Sequence, residues 1–145
     1  MPPNTNGLSM RAATLLFIAL IVIAAPARGA ADDVANAQSV IRAQEQAFVR
    51  NDAAAAYSYA APAIRKLFPQ AEIFLYMVQN SYAPVWRHKS FEFGDARIEG
   101  KWVAQRVHIV DADGEAWEAM YTLEQQPDGS FKITGCSLLK AGQSV

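Results

Sequence analysis

Between Trp102 and Leu139 apolar residues recur at every second position, the period of a β-sheet with one buried face. Val103, Gln105, Val107 and Ile109 form one such run, Trp117, Ala119, Tyr121 and Leu123 a second, and Phe131 and Ile133 a third. Two turn sequences separate them, Asp111-Ala112-Asp113-Gly114-Glu115 and Gln126-Pro127-Asp128-Gly129-Ser130, each with a glycine free to take positive φ. The odd-numbered residues on both sides of a turn share a face only if the loop holds an odd number of residues. Three-residue loops, 112–114 and 127–129, meet that condition with a type I turn followed by a left-handed glycine. This register sets Ile109 against Trp117, Val107 against Ala119, Val103 against Leu123, and Leu123 against Ile133. On the opposite face it pairs His108 with Glu118 and Glu124 with Lys132. Past Ile133 the apolar phase changes, which predicts a bulge at Gly135 that brings Cys136 and Leu138 inward, with the Tyr121 ring over the glycine.

A sheet with one apolar face needs a cover, and the preceding residues supply helices. Asp32 or Asp33 is expected to cap an amphipathic helix with Val34, Ala37, Ile41 and Phe48 on its buried stripe and Gln38, Arg42 and Glu45 facing away. Asn51 and Asp52 interrupt it and cap the Ala53–Ala56 run, which Pro62 stops. Pro69 opens a helix with Ile73, Phe74, Met77, Val78 and Tyr82 on one stripe, ended by Pro84. Val85 to Phe93 leads into the sheet, and Gly94-Asp95 and Glu99-Gly100-Lys101 bracket a short strand over 96–98. Helices first and strands last give an α+β fold, N-terminal helices packed on a curved antiparallel sheet.

The first 31 residues read as an export signal, leaving one domain over 32–145 and a periplasmic destination. Arg11 precedes an apolar run of 14 residues, Ala12 to Ala25, that is shorter than the ~20 a spanning helix needs. Gly29 and Ala31 satisfy the small-residue rule for a cut after Ala31, the preferred site, and Ala27 and Gly29 satisfy it for a cut after Gly29. The membrane then enters only through this segment before cleavage. Met10, just ahead of Arg11, competes with Met1 as the start. From Asp32 onward the 13 Lys and Arg lose Arg11 and Arg28 to become 11, against 14 acidic residues, a net charge near −3 with both signs interspersed. Nucleic acid is not an expected partner of such a surface. The single cysteine, Cys136, makes no internal disulfide and reads as a small core residue.

Several segments together resemble a known family: Ala47-Phe48, Asp52-Ala-Ala-Ala-Ala-Tyr57, Ala60-Ala-Pro-Ala-Ile64, Phe74-Leu-Tyr-Met-Val78, Tyr82-Ala-Pro-Val85, Tyr121-Thr-Leu-Glu124, and Pro127-Asp-Gly-Ser-Phe131 through Gly135-Cys136. The chain is similar to a bacterial domain-of-unknown-function family, numbered 4864, over nearly all of 32–145. The resemblance implies a cystatin-like cone of the kind seen in nuclear transport factor 2 and the ketosteroid-isomerase group. It brings no reaction and no catalytic residue, because that fold serves isomerases, dehydratases and plain binding modules alike.

The inner face of the sheet is rich in aromatic residues and poor in ionisable ones, which favours binding a small apolar or lipid-like ligand over acid–base chemistry. Tyr57, Tyr59, Tyr82, Trp86, Gln105, Trp117 and Tyr121 are the residues expected to line such a hollow. His88, between Arg87 and Lys89, reads either as an anion-attracting cluster or as a solvated strand end. The alternative function is a small lyase or isomerase in which Tyr57 or Tyr121 polarises a carbonyl and Glu45 or His88 moves a proton. On the outer face Trp102, Arg106, His108, Glu118 and Met120 form the expected surface of a homodimer. No cofactor is expected, and two histidines 20 apart with one cysteine match no metal-ligand spacing. Asp111-x-Asp113-Gly114 lacks the partners of a calcium loop and reads as a turn.

Overall fold

The computed structural model describes residue 3 and residues 29–142. The expected signal segment lies outside the described residues up to residue 28, save residue 3. Five helices precede four strands: α1 (Ala30–Val49), α2 (Ala53–Ser58), α3 (Pro62–Leu67), α4 (Ala71–Ser81), α5 (Ala83–Trp86), then β1 (His88–Glu99), β2 (Trp102–Asp111), β3 (Ala116–Gln125) and β4 (Phe131–Lys140). The strands form one antiparallel meander in the order β1-β2-β3-β4, with the helices packed against it, an α+β fold.

The two hairpins have the loops their sequences require. Asp111 N donates to Glu115 O at 2.9 Å and Gln126 N to Ser130 O at 2.7 Å, leaving three residues in each loop. Gly114 and Gly129 close them at φ 85° and 87°, conformations that a Cβ would disfavour. Asp111 Oδ1 accepts from the amides of Asp113 and Glu115, both at 2.9 Å, so this acidic loop is a self-capped turn. The register follows: Ile109 faces Trp117, Val107 faces Ala119, Val103 faces Leu123, and Leu123 faces Ile133.

Between Thr122–Gly135 and Leu123–Ile133 the pairing slips by one residue, so Thr134 is the bulged position. Cys136 then stands opposite Tyr121 and Leu138 opposite Ala119, both against the core. The group above Gly135 differs from the expectation. A Cβ there would meet Thr122 Oγ1 at 3.2 Å on the outer face, not the Tyr121 ring.

Strand β1 is also longer than its sequence implied. Gly94-Asp95 does not end a strand but forms a bulge inside it, between the Phe93–Val107 and Ala96–Gln105 pairs. Gln105 holds that bulge. Its Nε2 donates to Gly94 O at 2.9 Å and lies 3.3 Å from Asp95 O, satisfying carbonyls that the ladder leaves over.

Helix α1 starts at Ala30 with Gly29 as its N-cap, and Asp32 and Asp33 sit in its first turn, where the helix dipole favours negative charge. Ala37, Ile41 and Phe48 are buried as expected, Gln44 and Ala47 are buried beside them, and Val34 is only partly covered. The face carrying Gln38, Arg42 and Glu45 is not turned to solvent. Gln38 donates to Gln105 Oε1 at 3.0 Å, and the Arg42 guanidinium lies 5.2 and 4.8 Å from the centres of the Phe91 and Phe93 rings. Because β1 lies alongside this face, an amphipathic stripe reading underestimates how much of α1 is covered. Asp52 caps α2 by accepting from Ala55 N at 3.0 Å, and Pro62 sits in the first turn of α3. Helix α4 begins at Ala71, two residues past Pro69, and buries Phe74 and Val78 while Ile73 remains exposed.

Candidate functional site

Packing helices across a twisted sheet leaves a gap where the helices diverge, and here it remains open. A cavity of about 220 Å³ lies between α1, α3, α4 and α5 on one side and β3 and β4 on the other. Its walls are Phe48 and Gln44 from α1, Ile64 and Phe68 from α3 and its end, Phe74, Met77 and Val78 from α4, Tyr82 and Val85 around α5, and Tyr121, Ile133, Thr134, Gly135 and Cys136 from the sheet. The bulge at Thr134 brings Cys136 to this wall. Phe74 stands 6.1 Å from Phe48 and 6.3 Å from Phe68, ring centre to ring centre, the second pair edge to face.

Few polar atoms reach the cavity. Tyr121 is buried, with Cys136 directly opposite it in the ladder and close enough for each group to shift the other's ionisation. Burial, then the charges of Cys136 and Glu45 and the thiol contact, push its ionisation well above the usual tyrosine value. Burial likewise pushes the Cys136 thiol up to about 12, against a lesser opposing effect of the Tyr121 hydrogen bond. Both groups are neutral at physiological pH. Gln44 is 4% exposed and donates from Nε2 to Ala56 O at 3.1 Å.

Of the seven residues expected to line a hollow, Tyr82 and Tyr121 are in the wall, and the other five stand outside it. Tyr57 donates its hydroxyl to Phe68 O at 2.7 Å and lays its ring 5.7 Å from that of Phe74. The backbone of Tyr59 accepts from Ile133 N at 2.8 Å. Trp86 donates to Asn51 Oδ1 at 3.0 Å beneath the Arg87 guanidinium. Gln105 is fully buried with its amide engaged at the β1 bulge, and Trp117 donates to Asp111 Oδ2 at 2.9 Å.

Glu45 and His88 meet each other. His88 is no solvated strand end: its side chain is 7% exposed, with Nε2 2.8 Å from Glu45 Oε1 and Nδ1 3.0 Å from Pro84 O. Arg42 hydrogen-bonds the other carboxylate oxygen. Neither Glu45 nor His88 is in the cavity wall. Arg87 instead donates to Phe48 O and Asn51 Oδ1, at 3.0 and 3.1 Å, so no three-residue cationic cluster forms.

The outer face carries Trp102, Arg106, His108, Glu118 and Met120 in adjacent register, with Trp102 facing Glu124, Arg106 facing Met120 and His108 facing Glu118. Glu118 lies 3.4 Å from Arg106 and 3.5 Å from His108, all three partly exposed. Among the described residues no group of three or more His, Cys, Asp or Glu is placed to hold a metal ion, and no helix is long and apolar enough to cross a membrane.

The wall residues that escaped sequence reasoning are mainly helical: Gln44, Phe48, Phe68, Phe74, Met77 and Val78. One signal was present. Gln44 falls on the stripe Ala37, Ile41, Phe48, a polar residue on an otherwise apolar face.

Fold and cavity together define a small α+β protein, a four-stranded antiparallel meander covered on one face by helices, with a mostly apolar cavity between the two layers that opens to solvent. The chain belongs to the family described as Domain of unknown function (DUF4864), whose model matches residues 30–144. A search of curated proteins found no match.

Proposed function

We propose that this protein is an exported, non-enzymatic binding module that takes a small apolar molecule into the cavity between its helices and its sheet. The observation that carries the reading is the cavity itself: about 220 Å³ of space in a wall made largely of Phe, Met, Val and Ile side chains. Close packing seldom leaves so large an apolar recess between two layers, and this one is open to solvent, so a ligand has a way in. A dry cavity of about 150 Å³ already accommodates benzene, so the volume suits a one- or two-ring molecule or a short acyl chain and is too small for a whole lipid. The runner-up reading as a lyase or isomerase has less support. Glu45 and His88 are engaged with each other, with Arg42 and with Pro84 O, and the Tyr57 hydroxyl is engaged with backbone. Proton transfer in the cavity would then fall to Tyr121 and Cys136, both held in their neutral forms. The likeness to nuclear transport factor 2, the bacterial origin and the periplasmic destination belong to the same proposal.

Native mass spectrometry of protein purified from its exported compartment tests this reading. The expected result is a reproducible small retained mass, released on denaturation. A bare chain that also takes up no small aromatic probe overturns it.

A second role, pairing of two copies through the outer face of the sheet, is favoured by the exposure of Trp102 (44%) and Leu139 (41%) there. Sedimentation across a concentration series tests it. A strictly monomeric boundary at high concentration excludes it.

A further inference from the structure

Resting on the reading of the cavity as a binding site, we propose that its ligand is a neutral one- or two-ring aromatic molecule that presents a single N–H or O–H to the amide oxygen of Gln44.

The orientation of the Gln44 amide is fixed by its neighbour. The Ala56 carbonyl can only accept, so the atom 3.1 Å from it is the amide nitrogen. The oxygen Oε1 is therefore directed elsewhere, and it receives no hydrogen bond from the described residues. Oε1 is not among the buried atoms left without a partner, so it stays accessible to water through the cavity, and a molecule that displaces that water loses affinity unless it supplies a donor of its own. The walls supply few. The Tyr121 hydroxyl stands by the Cys136 thiol, and the Thr134 hydroxyl donates to Thr122 Oγ1 at 2.8 Å. Tyr82 brings the remaining hydroxyl, which can either donate or accept.

Charge excludes the common anionic ligands. No charged side chain is among the described residues that line the cavity, so a carboxylate or phosphate would lose its water without gaining a counter-ion. An amine fares no better, because no carboxylate is among the lining residues and Glu45 is held by Arg42 and His88. What remains is a neutral molecule with one donor.

Its shape follows from the wall. Phe48, Phe68 and Phe74 present faces and edges, and Met77 adds a thioether, surroundings that suit an aromatic ring. Scaling from about 150 Å³ for the six carbons of benzene, 220 Å³ corresponds to roughly nine non-hydrogen atoms. Phenols and indoles fit that description; free fatty acids and nucleotides do not.

Indole, benzofuran and indene have nearly the same size and shape and carry N–H, O and CH₂ at the same ring position. Calorimetric titration of the full chain with each separates the hydrogen bond from the space. Indole is expected to bind about tenfold tighter than the other two. Gln44→Met is expected to bring the three within about twofold of one another. Equal affinities for all three on the unaltered protein overturn the donor assignment while leaving cavity binding intact, and tightest binding by benzofuran overturns it as well. Failure of all three to bind removes the binding reading and this proposal together. If Gln44→Met does not fold, the ligand series on the unaltered protein decides, with intermolecular NOEs from indole to the Phe74 ring expected and contacts confined to other sites contradicting the assignment.

Discussion

His88 Nε2 lies 2.8 Å from Glu45 Oε1, joining the first strand to the C-terminal part of α1 across 43 residues of sequence. The Pro84 carbonyl lies 3.0 Å from Nδ1 and can only accept, so both ring nitrogens face oxygen atoms of the protein. Removing either partner leaves the other buried with an unmatched polar group. Glu45→Ala and His88→Ala are each expected to destabilise the fold by about 3 kcal/mol, and the double variant by much less than the sum. Urea unfolding of the four proteins measures the coupling. Additivity within about 0.5 kcal/mol would show that the pair is not a unit.

Gln105 has a comparable role with no charge involved. Gln105→Met keeps the volume but abandons the Gly94 and Asp95 carbonyls and the amide of Gln38. A loss of about 2 kcal/mol is expected, seen as a fall of roughly 10 °C in the melting temperature. An unchanged melting temperature would mean that water caps the bulge equally well.

The hairpin carboxylates set an acid limit. The Trp117 indole N–H, with the amides of Glu115 and Asp113 outweighing a contrary effect of desolvation, holds Asp111 below its ordinary value of 3.8. The Ser130 hydroxyl and amide do the same for Asp128. A carboxylate whose folded value is depressed contributes stability that is complete above its unfolded value and is lost as pH falls through the folded one. Both hairpins should therefore weaken between about pH 4 and pH 2. The indole N–H resonance of Trp117 is expected to move with a midpoint below 3.8, and Asp111→Asn to abolish that movement. A midpoint at or above 3.8 contradicts the assignment.

Cys136 should behave as a protected thiol. With its ionisation at about 12 rather than 9.0, the thiolate fraction at neutral pH falls about a thousandfold. Alkylation of the native protein is expected to be slower than that of the denatured chain by a comparable factor. Comparable rates would place the thiol in solvent.

How much of this was legible before the structure depends on the range of the interaction. The register of β2, β3 and β4 follows from alternation and two three-residue loops, because both are local and a slip of one residue would turn every apolar side chain outward. A bulge was visible as a phase change after Ile133, but it was expected at Gly135 and falls one residue earlier, at Thr134. Gln105, His88 and Glu45 were misjudged for a shared reason. Each is a polar residue whose partner lies far along the chain, and periodicity alone assigns such a residue to a hollow or to solvent. The cavity walls were hidden similarly: Tyr57, Trp86 and Trp117 have the chemistry of a binding site, but their polar atoms go to Phe68 O, Asn51 and Asp111. Gln44 alone carried a readable mark, an amide on an apolar stripe.

The short segment Tyr59–Ala61 bridges to Ile133, with Ala61 N donating to Ile133 O at 2.7 Å and Ile133 N to Tyr59 O at 2.8 Å. That contact occupies part of the free edge of β4, while the opposite edge, β1, is broken by two bulges and studded with Lys89, Glu92, Asp95, Arg97 and Glu99. Neither margin offers a long flat ladder to a neighbouring chain, so the sheet resists growth into fibrils by strand addition. Should the 59–61 bridge be loosened, aggregation would be expected to begin at Ile133, well before the hydrophobic interior came apart.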